Sequence, residues 1–277
     1  MVSLKDIYYQ IRYDMLRNYW LWKSKNSRLY GIVLMYHHVT DEYVDIDKSC
    51  RCTIQEFCNS INDIIQQGYQ FVSIDEFYDI VNNHKENKFA LMTFDDVPEN
   101  FYFNAYPILK ENNIPFTLFI TRKFIDTKGF LKTSQIEELN EDTLCTIGAH
   151  TLTHPMLRKV ENSYEEIKKS KEILEKILCK PIDYFAYPYG RQSAVSRRVM
   201  REVEKAGFKC AFGTIQVPIS DCLKKHIYYL PRMIYKGGGL EMYNKFHFYC
   251  LELLLKKMNK NLLVWVNCLI YAKGSSL

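Results

Sequence analysis

Short apolar segments alternate with amphipathic segments along most of this chain. The apolar segments, typical of buried strands, are 31–35, 71–74, 89–94, 114–121, 144–149, 184–187 and 208–213. Helical periodicity lies between them, at 54–67, after residue 75, around 105–112, and at 163–178 and 196–206. Strands alternating with helices at this spacing predict a parallel α/β sheet, either open or closed into a barrel. In such folds the functional side chains lie at the carboxyl ends of the strands.

Capping residues mark the ends of several predicted helices. Asp75 is a good N-cap residue for the helix that starts near it, while Gly68 and Gly207 directly follow two others. We therefore expect one helix to begin at Asp75 and two to end at these glycines.

The two ends of the chain differ from the middle. Residues 1–28 carry apolar side chains at helical spacing, with basic residues between them: Leu4, Ile7, Tyr8, Ile11, Met15, Tyr19 and Trp22. Residues 241–277 are rich in apolar residues but contain Lys256, Lys257 and Lys260, so that no run is long enough to span a membrane. We expect an amphipathic helical extension at 1–28, a barrel domain at 29–240 and an apolar, basic helical tail at 241–277. Both ends pack on the barrel or a second subunit, or else lie on an anionic membrane surface.

Composition favours some classes of protein for this chain and excludes others. The chain of 277 residues is 47% hydrophobic and 25% charged, which is typical of a soluble globular protein. The net charge of +5 is mild and no basic cluster resembles a nucleic-acid module, so we expect no nucleic-acid partner. Nine scattered cysteines without a CxxC pair argue against a disulfide framework, and the first residues lack the apolar core of a signal peptide. These features favour the cytoplasm, including the inner face of its membrane, and leave the oligomeric state open.

Acidic and histidine pairs follow two of the apolar segments. Asp95 and Asp96 end the segment 89–94, and His150 and His154 follow 144–149. Adjacent acids often only end a strand, and histidines often lie on the surface. However, carboxylates at a buried strand end need a cation or hydrogen-bond donors, and a His-x-x-x-His spacing can place two imidazoles on one ion. Together the four residues predict a site of two histidines and one carboxylate, with a second carboxylate free to act as a base.

These residues belong to segments that resemble a known family. Residues 92–96 (MTFDD), 150–155 (HTLTHP) and 185–190 (FAYPYG) resemble the three motifs of the NodB-type polysaccharide deacetylases, carbohydrate esterase family 4. Residues 34–39 (LMYHHV) are similar to the opening strand of a branch that deacetylates N-acetylglucosamine polymers. The resemblance spans roughly residues 30–235. It implies an irregular (β/α) barrel of about seven parallel strands and a divalent metal, usually Zn²⁺, that helps to hydrolyse a sugar acetamide.

The resemblance also implies roles for the residues of the two pairs. Asp96, His150 and His154 hold the metal, with Co²⁺, Ni²⁺ and Mn²⁺ as alternatives to zinc. Asp95 is the general base that takes a proton from a water bound to the metal. A neighbouring cation lowers the pKa of a carboxylate, which keeps such a base ionised near neutral pH.

Two further parts of the reaction follow from the same resemblance. A backbone N–H in the loop formed by Pro188, Tyr189 and Gly190 supplies a donor to the oxyanion. The leaving amine needs a proton, and the branch with a Tyr-His opening places the acid at His37. His226 is the alternative, because many family members place their acidic histidine late in the domain.

The chain departs from the family pattern at three points. Val97 stands where the family usually has glycine, so we expect a different backbone shape after the two acids. Ala186 stands where many members have an arginine that tethers the base, so another group must orient Asp95. A counterpart of the family's Asp-Trp motif is not evident from the sequence.

The sequence thus favours metal-dependent hydrolysis of an N-acetyl group on a sugar. The expected substrate is an N-acetylhexosamine in a glycan or a lipid-linked saccharide. Two alternatives remain open: another metal-dependent amide or O-acetyl ester hydrolase on the same barrel, and a catalytically silent glycan-binding protein. Release of acetate from an acetylated sugar separates the first interpretation from the other two.

Overall fold

A parallel sheet forms the centre of the computed structural model, which describes residues 4–24, 30–44, 50–83, 88–220 and 226–234. Its described strands are β1 (Tyr30–Tyr36), β2 (His38–Val39), β3 (Arg51–Cys52), β4 (Gln70–Phe71), β5 (Lys88–Asp95), β6 (Phe116–Ile120), β7 (Cys145–Ala149), β8 (Tyr184–Ala186) and β9 (Cys210–Phe212). The described helices are α1 (Leu4–Ser24), α2 (Ile54–Gln66), α3 (Ile74–Asn83), α4 (Tyr106–Glu111), α5 (Thr133–Glu141), α6 (Ser163–Leu178) and α7 (Arg197–Lys205). Strands and helices alternate from β4 to β9, as the apolar pattern predicts.

The main sheet has seven strands in parallel register. Its order is β1-β5-β6-β7-β8-β9, with β4 added beside β5, while β2 and β3 pair separately. The chain segment 230–233 then connects the two edges: Leu230 bridges to Phe212 of β9, and Met233 bridges to Leu34 of β1. Because one short segment pairs with both edge strands, the sheet curls on itself. The predicted irregular (β/α) barrel of about seven parallel strands is confirmed.

Aromatic side chains pack against one another between the strands of the curled sheet and between the sheet and α3. Phe89 of β5 contacts Phe77 of α3 with ring centroids 5.5 Å apart, and Phe119 of β6 contacts Phe212 of β9 at 5.6 Å. Gly31 of β1 leaves room for the Phe89 ring, since a Cβ atom there would lie 2.1 Å from it. Full burial of each such ring stabilises the fold by roughly 1.5–3 kcal/mol. This packed core supports the strand ends that carry the polar motifs.

The helix caps are partly those expected. Ser73, not Asp75, caps α3: its hydroxyl accepts the Glu76 N–H at 3.3 Å, and the Glu76 carboxylate accepts the Ser73 N–H at 2.8 Å. The prediction for Asp75 is wrong because this reciprocal pair satisfies two N–H groups that Asp75, inside the first turn, does not reach. Gly68 and Gly207 have φ angles of 76° and 81°, so both predicted helix ends are confirmed.

The N-terminal helix α1 packs on the barrel through one face. Trp20 is buried in the core, the Tyr13 hydroxyl donates to the Thr214 carbonyl at 3.2 Å, and Arg17 donates to the Gln216 carbonyl at 3.0 Å. Among the helices that the structure describes, none is long and apolar enough to cross a bilayer.

The predicted tail at 241–277 lies outside the described residues. The chain divides into two compact units, Met1–Gly237 and Gly238–Leu277, and the second is wholly beyond the described ranges. The three-part division at residues 28 and 240 therefore stays a prediction.

Candidate metal and catalytic site

Polar side chains meet at the carboxyl ends of three adjacent strands. Asp95 ends β5 and Asp96 follows it, Thr121 follows β6, and His150 follows β7. Because these strands are parallel neighbours, their ends lie at the same edge of the sheet. The sheet thus gathers residues that are up to 55 positions apart in the chain.

Asp96, His150 and His154 form a cluster with the composition of a metal site. Their ligand atoms all lie within 4.8 Å of one another. The Asp96 Oδ1 atom is 3.5 Å from His154 Nε2 and 3.9 Å from His150 Nε2. Distances of this size are close to those across an ion whose ligands lie about 2.0–2.2 Å away. The sequence prediction that these three side chains come together is therefore matched by the structure.

Hydrogen bonds fix the orientation of the cluster. His150 Nδ1 lies 2.8 Å from the Ala186 carbonyl oxygen, to which it donates, so the lone pair of this imidazole is on Nε2. The Thr121 hydroxyl lies 3.1 Å from Asp96 Oδ1 and 3.0 Å from the His150 carbonyl, and donates to one of them at a time. A carbonyl behind a ligating imidazole is the usual support of a metal ligand.

The electrostatics of the cluster also suit a divalent cation. Burial lowers the pKa of His150 to about 3, so its imidazole is neutral and able to bind a metal. Burial, together with the charge of Asp95, raises the pKa of Asp96 to about 6. A cation beside Asp96 removes this penalty. Two imidazole nitrogens and one carboxylate oxygen fit Zn²⁺ and other first-row divalent ions.

Left-handed backbone conformations concentrate around this cluster. Of the eight non-glycine residues with positive φ in the described ranges, five belong to the site: Asp96, Val97, Thr151, His154 and Tyr189. Each costs on the order of 1–3 kcal/mol, which the surrounding contacts must offset. One such contact is the hydrogen bond from the His154 N–H to the Thr151 hydroxyl at 3.0 Å.

The turn after β5 is tight. The Val97 N–H donates to the Asp95 carbonyl at 2.6 Å and closes a three-residue turn around Asp96, whose φ is 59°. Val97 itself has φ 51° and is buried. This valine adopts the left-handed conformation that glycine adopts most easily, and the expected difference from the backbone shape of the family stays a prediction.

Asp95 is held by an arginine that the sequence reasoning missed. Arg232 is completely buried, and two of its guanidinium nitrogens donate to the two carboxylate oxygens of Asp95, each at 2.6 Å. A third nitrogen donates to the Gly213 carbonyl at 3.1 Å. Burial by itself raises the pKa of Asp95, but Arg232, with the nearby His150, brings it well below its usual range. Arg232 therefore supplies the tether that is missing at Ala186.

A signal for Arg232 was present in the sequence. In the described segment 226–234 (HIYYLPRMI) it is the only side chain that is charged at every ordinary pH. An arginine isolated among apolar residues is buried only when an acid pairs with it. The segment joins the barrel by single bridges and not by a regular strand, so its alternation does not reveal which way Arg232 points.

The two candidate acids lie in different places. His37 follows β1, and its Nε2 atom is 4.0 Å from Asp95 Oδ2. Burial lowers the pKa of His37, and its Nδ1 atom has no hydrogen-bond partner within the described ranges. His226 instead packs on Trp20 of α1, with ring centroids 4.9 Å apart. Of the two, His37 is the one that the fold brings to Asp95; the assignment of the acid stays a prediction.

The loop at Pro188, Tyr189 and Gly190 borders the metal cluster. The half-exposed Tyr189 ring lies 5.0 Å from the His154 ring, centroid to centroid. Gly190 has φ 52°, and a Cβ atom there would lie 2.4 Å from Thr214, so both the conformation and the space require glycine. Among the described residues, neither the Tyr189 nor the Gly190 N–H has a backbone or side-chain acceptor. These groups are free to donate to a ligand, as the predicted oxyanion role requires.

Comparisons with known proteins support the resemblance to polysaccharide deacetylases. The model of the family described as polysaccharide deacetylase matches residues 82–211. A poly-beta-1,6-N-acetyl-D-glucosamine N-deacetylase of Staphylococcus epidermidis is 26% identical over 246 residues, covering 79% of this chain and 83% of the relative. The crystal structure of a polysaccharide deacetylase from Bacillus cereus has a TM-score of 0.67 at 28% identity, covering 77% of this chain and 67% of that one. A Streptococcus pyogenes deacetylase in complex with acetate shares the fold, with a TM-score of 0.66 at 24% identity over 75% of this chain and 92% of that one.

Proposed function

This chain is an enzyme with a polysaccharide deacetylase domain, and on that premise we propose that it removes the N-acetyl group from an N-acetylhexosamine by metal-dependent hydrolysis. The substrate is a glycan or a lipid-linked saccharide that carries this sugar. One observation carries the proposal: a tethered carboxylate, Asp95, lies directly beside the cluster of Asp96, His150 and His154. A base next to an open metal site is the arrangement that amide hydrolysis requires.

Asp96, His150 and His154 hold the metal. A divalent ion bound there supplies Lewis-acid chemistry: it makes water more acidic and polarises the amide carbonyl. Asp95 accepts a proton from the attacking water at a carboxylate oxygen. Because Arg232 keeps the pKa of Asp95 low, this carboxylate is ionised at any physiological pH but is a weak base, which explains why it needs an acidified water.

The remaining residues complete the proton transfers and hold the oxyanion. The N–H groups of Tyr189 and Gly190 donate to the carbonyl oxygen as negative charge develops on it. His37, whose Nε2 atom is 4.0 Å from Asp95 Oδ2, receives the proton that Asp95 took from the water and gives it to the leaving nitrogen. The C–N bond then breaks to give acetate and a free sugar amine.

The first substrate to test is a β-1,6-linked N-acetylglucosamine oligomer. The Staphylococcus epidermidis relative is named for this polymer, and its similarity extends over 79% of the chain. The half-exposed Tyr189 ring, next to the metal ligands, offers an apolar face on which a sugar ring can stack. Chitin oligomers differ only in linkage and serve as the comparison.

The test measures acetate release after chelation and addition of Zn²⁺ or Co²⁺. We expect release by the wild type and a loss of at least about a hundredfold in Asp95→Asn, since the amide cannot accept the proton. Asp183→Asn, on the surface beside Lys209, is the matched control and keeps its activity. Metal binding without acetate from any N-acetylated sugar contradicts the proposal, and release from O-acetyl esters alone identifies an esterase.

A further inference from the structure

The helix α1 exposes a stripe of large apolar side chains. The stripe consists of Tyr8, Ile11, Met15, Tyr19 and Trp22, with exposed fractions of 52%, 55%, 40%, 46% and 60%. At about 100° per residue these five positions fall within an arc of roughly 80°. The apolar spacing that predicts this helix from the sequence is therefore largely that of its exposed face, not of the face that packs on the barrel.

A second set of residues holds the opposite face of α1 on the protein. Trp20 is buried in the core, Tyr13 and Leu16 pack beside it, and Arg17 donates to the Gln216 carbonyl. By the same helical geometry this face is centred roughly opposite the stripe. The stripe is thus not needed to attach the helix to the barrel, and it requires a different explanation.

Positive charge lies along one side of α1. Lys23 on the helix is exposed, and its Nζ atom lies 5.6 Å from the centre of the Tyr19 ring. The guanidinium groups of Arg158 and Arg191 lie over the rings of Tyr9 and Tyr13, at 5.8 and 5.7 Å. Burial lowers the pKa of His226, and the charges of Lys23 and of the exposed Arg197, at the start of α7, lower it further.

The other border of the stripe carries an acid. Among the α1 residues 8–23, whose exposure is described, Asp14 is the exposed acid, and it accepts hydrogen bonds from Gln10 on the same helix. The side of the stripe next to Lys23 is consequently cationic. Such a surface complements an anionic partner and repels a second copy of itself.

We propose that the stripe of α1 docks the protein on the headgroup region of an anionic lipid bilayer. Tyrosine and tryptophan have apolar rings with a polar end and are concentrated at the boundary between lipid and water. Ile11 and Met15, between the aromatic residues, supply aliphatic surface to bury. A helix with an apolar stripe and a basic border lies in the plane of the membrane and does not cross it.

The position of α1 links this surface to the catalytic loop. The Tyr13 hydroxyl donates to the Thr214 carbonyl, and the Thr214 hydroxyl donates to the carbonyl of Tyr189, which borders the metal cluster. Docking through α1 therefore holds the loop that contains Tyr189 close to the membrane surface. A saccharide attached to a lipid is the class of substrate that this arrangement serves; the docking itself does not depend on the proposed reaction.

The test is sedimentation of the full chain with vesicles of phosphatidylcholine, with and without phosphatidylglycerol. We expect binding to the anionic vesicles that weakens with added salt, and weaker binding to the neutral ones. The triple variant Ile11→Gln, Met15→Gln and Trp22→Gln loses about tenfold or more in affinity. The matched control changes Ile65 and Tyr43, which are exposed elsewhere, to glutamine and stays within about twofold of the wild type.

Tryptophan emission gives an independent readout that needs no disruptive change to the stripe. With Trp20 and Trp265 replaced by phenylalanine, Trp22 is the single tryptophan, and its emission shifts to the blue on vesicle binding. Bound protein without this shift overturns the proposal, as does full binding by the triple variant, which assigns the contact to the tail at 241–277. Failure of the full chain to bind also overturns it, and a dimer in sedimentation velocity that the triple variant abolishes assigns the stripe to a second copy.

Discussion

The carboxylate of Asp95 is charged at a buried position, and one partner, Arg232, stabilises that charge. Both oxygens accept from Arg232 at 2.6 Å, which is the short, planar geometry of a strong ion pair. Removal of water from two charges is costly, so such a pair contributes little net stability compared with apolar residues. Loss of one partner is a different matter, because it leaves the other charge buried and unpaired. The pair therefore serves to hold the charged carboxylate of Asp95, the proposed base, in place more than to stabilise the fold.

Replacement of Arg232 tests this conclusion. We expect Arg232→Met to lower the free energy of unfolding by about 3–5 kcal/mol, because the Asp95 carboxylate loses its partner. Urea unfolding measures the change. The double variant Arg232→Met with Asp95→Asn regains part of the loss, since the buried charge is gone. If the second substitution adds to the loss, the carboxylate is not the source of the destabilisation.

Val97 allows a sharp test of backbone strain. Both Val97→Ala and Val97→Gly remove the buried side chain, but only glycine relieves the strain at φ 51°. We expect the glycine variant to be the more stable by about 1 kcal/mol in thermal unfolding.

The buried Val203 inside α7 is the matched control for this pair. In a helix interior the order is reversed, and the alanine variant is the more stable by about 1 kcal/mol. The same order at both positions means that Val97 does not hold a strained conformation.

At the scale of helices and strands, the apolar runs predicted the strands reliably, while the predicted ends of the helices were less accurate. Segments such as 89–94 and 116–120 are buried on both faces, so their runs of apolar residues stand out. The helix α5 was not predicted. Only Ile136 and Leu139 of its nine residues are buried, and two apolar positions are too few to show a helical period. The cap of α3 was misplaced by two residues because serine and aspartate are both good N-cap residues.

The α3 cap leads to a prediction about serine and aspartate. Ser73→Ala removes the acceptor for the Glu76 N–H and should lower the free energy of unfolding by about 1 kcal/mol. Ser73→Asp retains an oxygen in the same place and stays close to the wild type in the same urea titration. An equal loss in both variants means that the packing of Ser73, and not its cap, is what matters.

The residues of the candidate site also differ in how well the sequence predicts them. Asp95, Asp96, His150 and His154 follow recognisable strands, so their convergence was predictable from the rule that parallel strand ends meet. Arg232 follows no regular element, and its contact with Asp95 joins residues 137 positions apart. Pairing across such a distance depends on how the barrel closes, which local patterns do not contain.

For the whole molecule, the cluster of Asp96, His150 and His154 would join the ends of β5 and β7 through an ion bound there. A ligand that binds only the folded state stabilises it, by about 2.7 kcal/mol at a hundred times its dissociation constant. We therefore expect Zn²⁺ to raise the melting temperature of the chelated protein, and to fail to do so in His154→Ala. His226→Ala is the matched control and retains the response, because His226 packs on Trp20. An equal response in both variants places the ion elsewhere.

The segment 230–233 has a consequence for the order of events during synthesis. It carries Arg232, and it also joins β9 to β1. A nascent chain that has not yet released this segment from the ribosome has its strand ends exposed and the charge of Asp95 without its counter-ion. The ribosome thus releases together the segment that closes the sheet and the counter-ion of Asp95, so that a chain arrested before residue 230 has neither the closed sheet nor the partner of its proposed base.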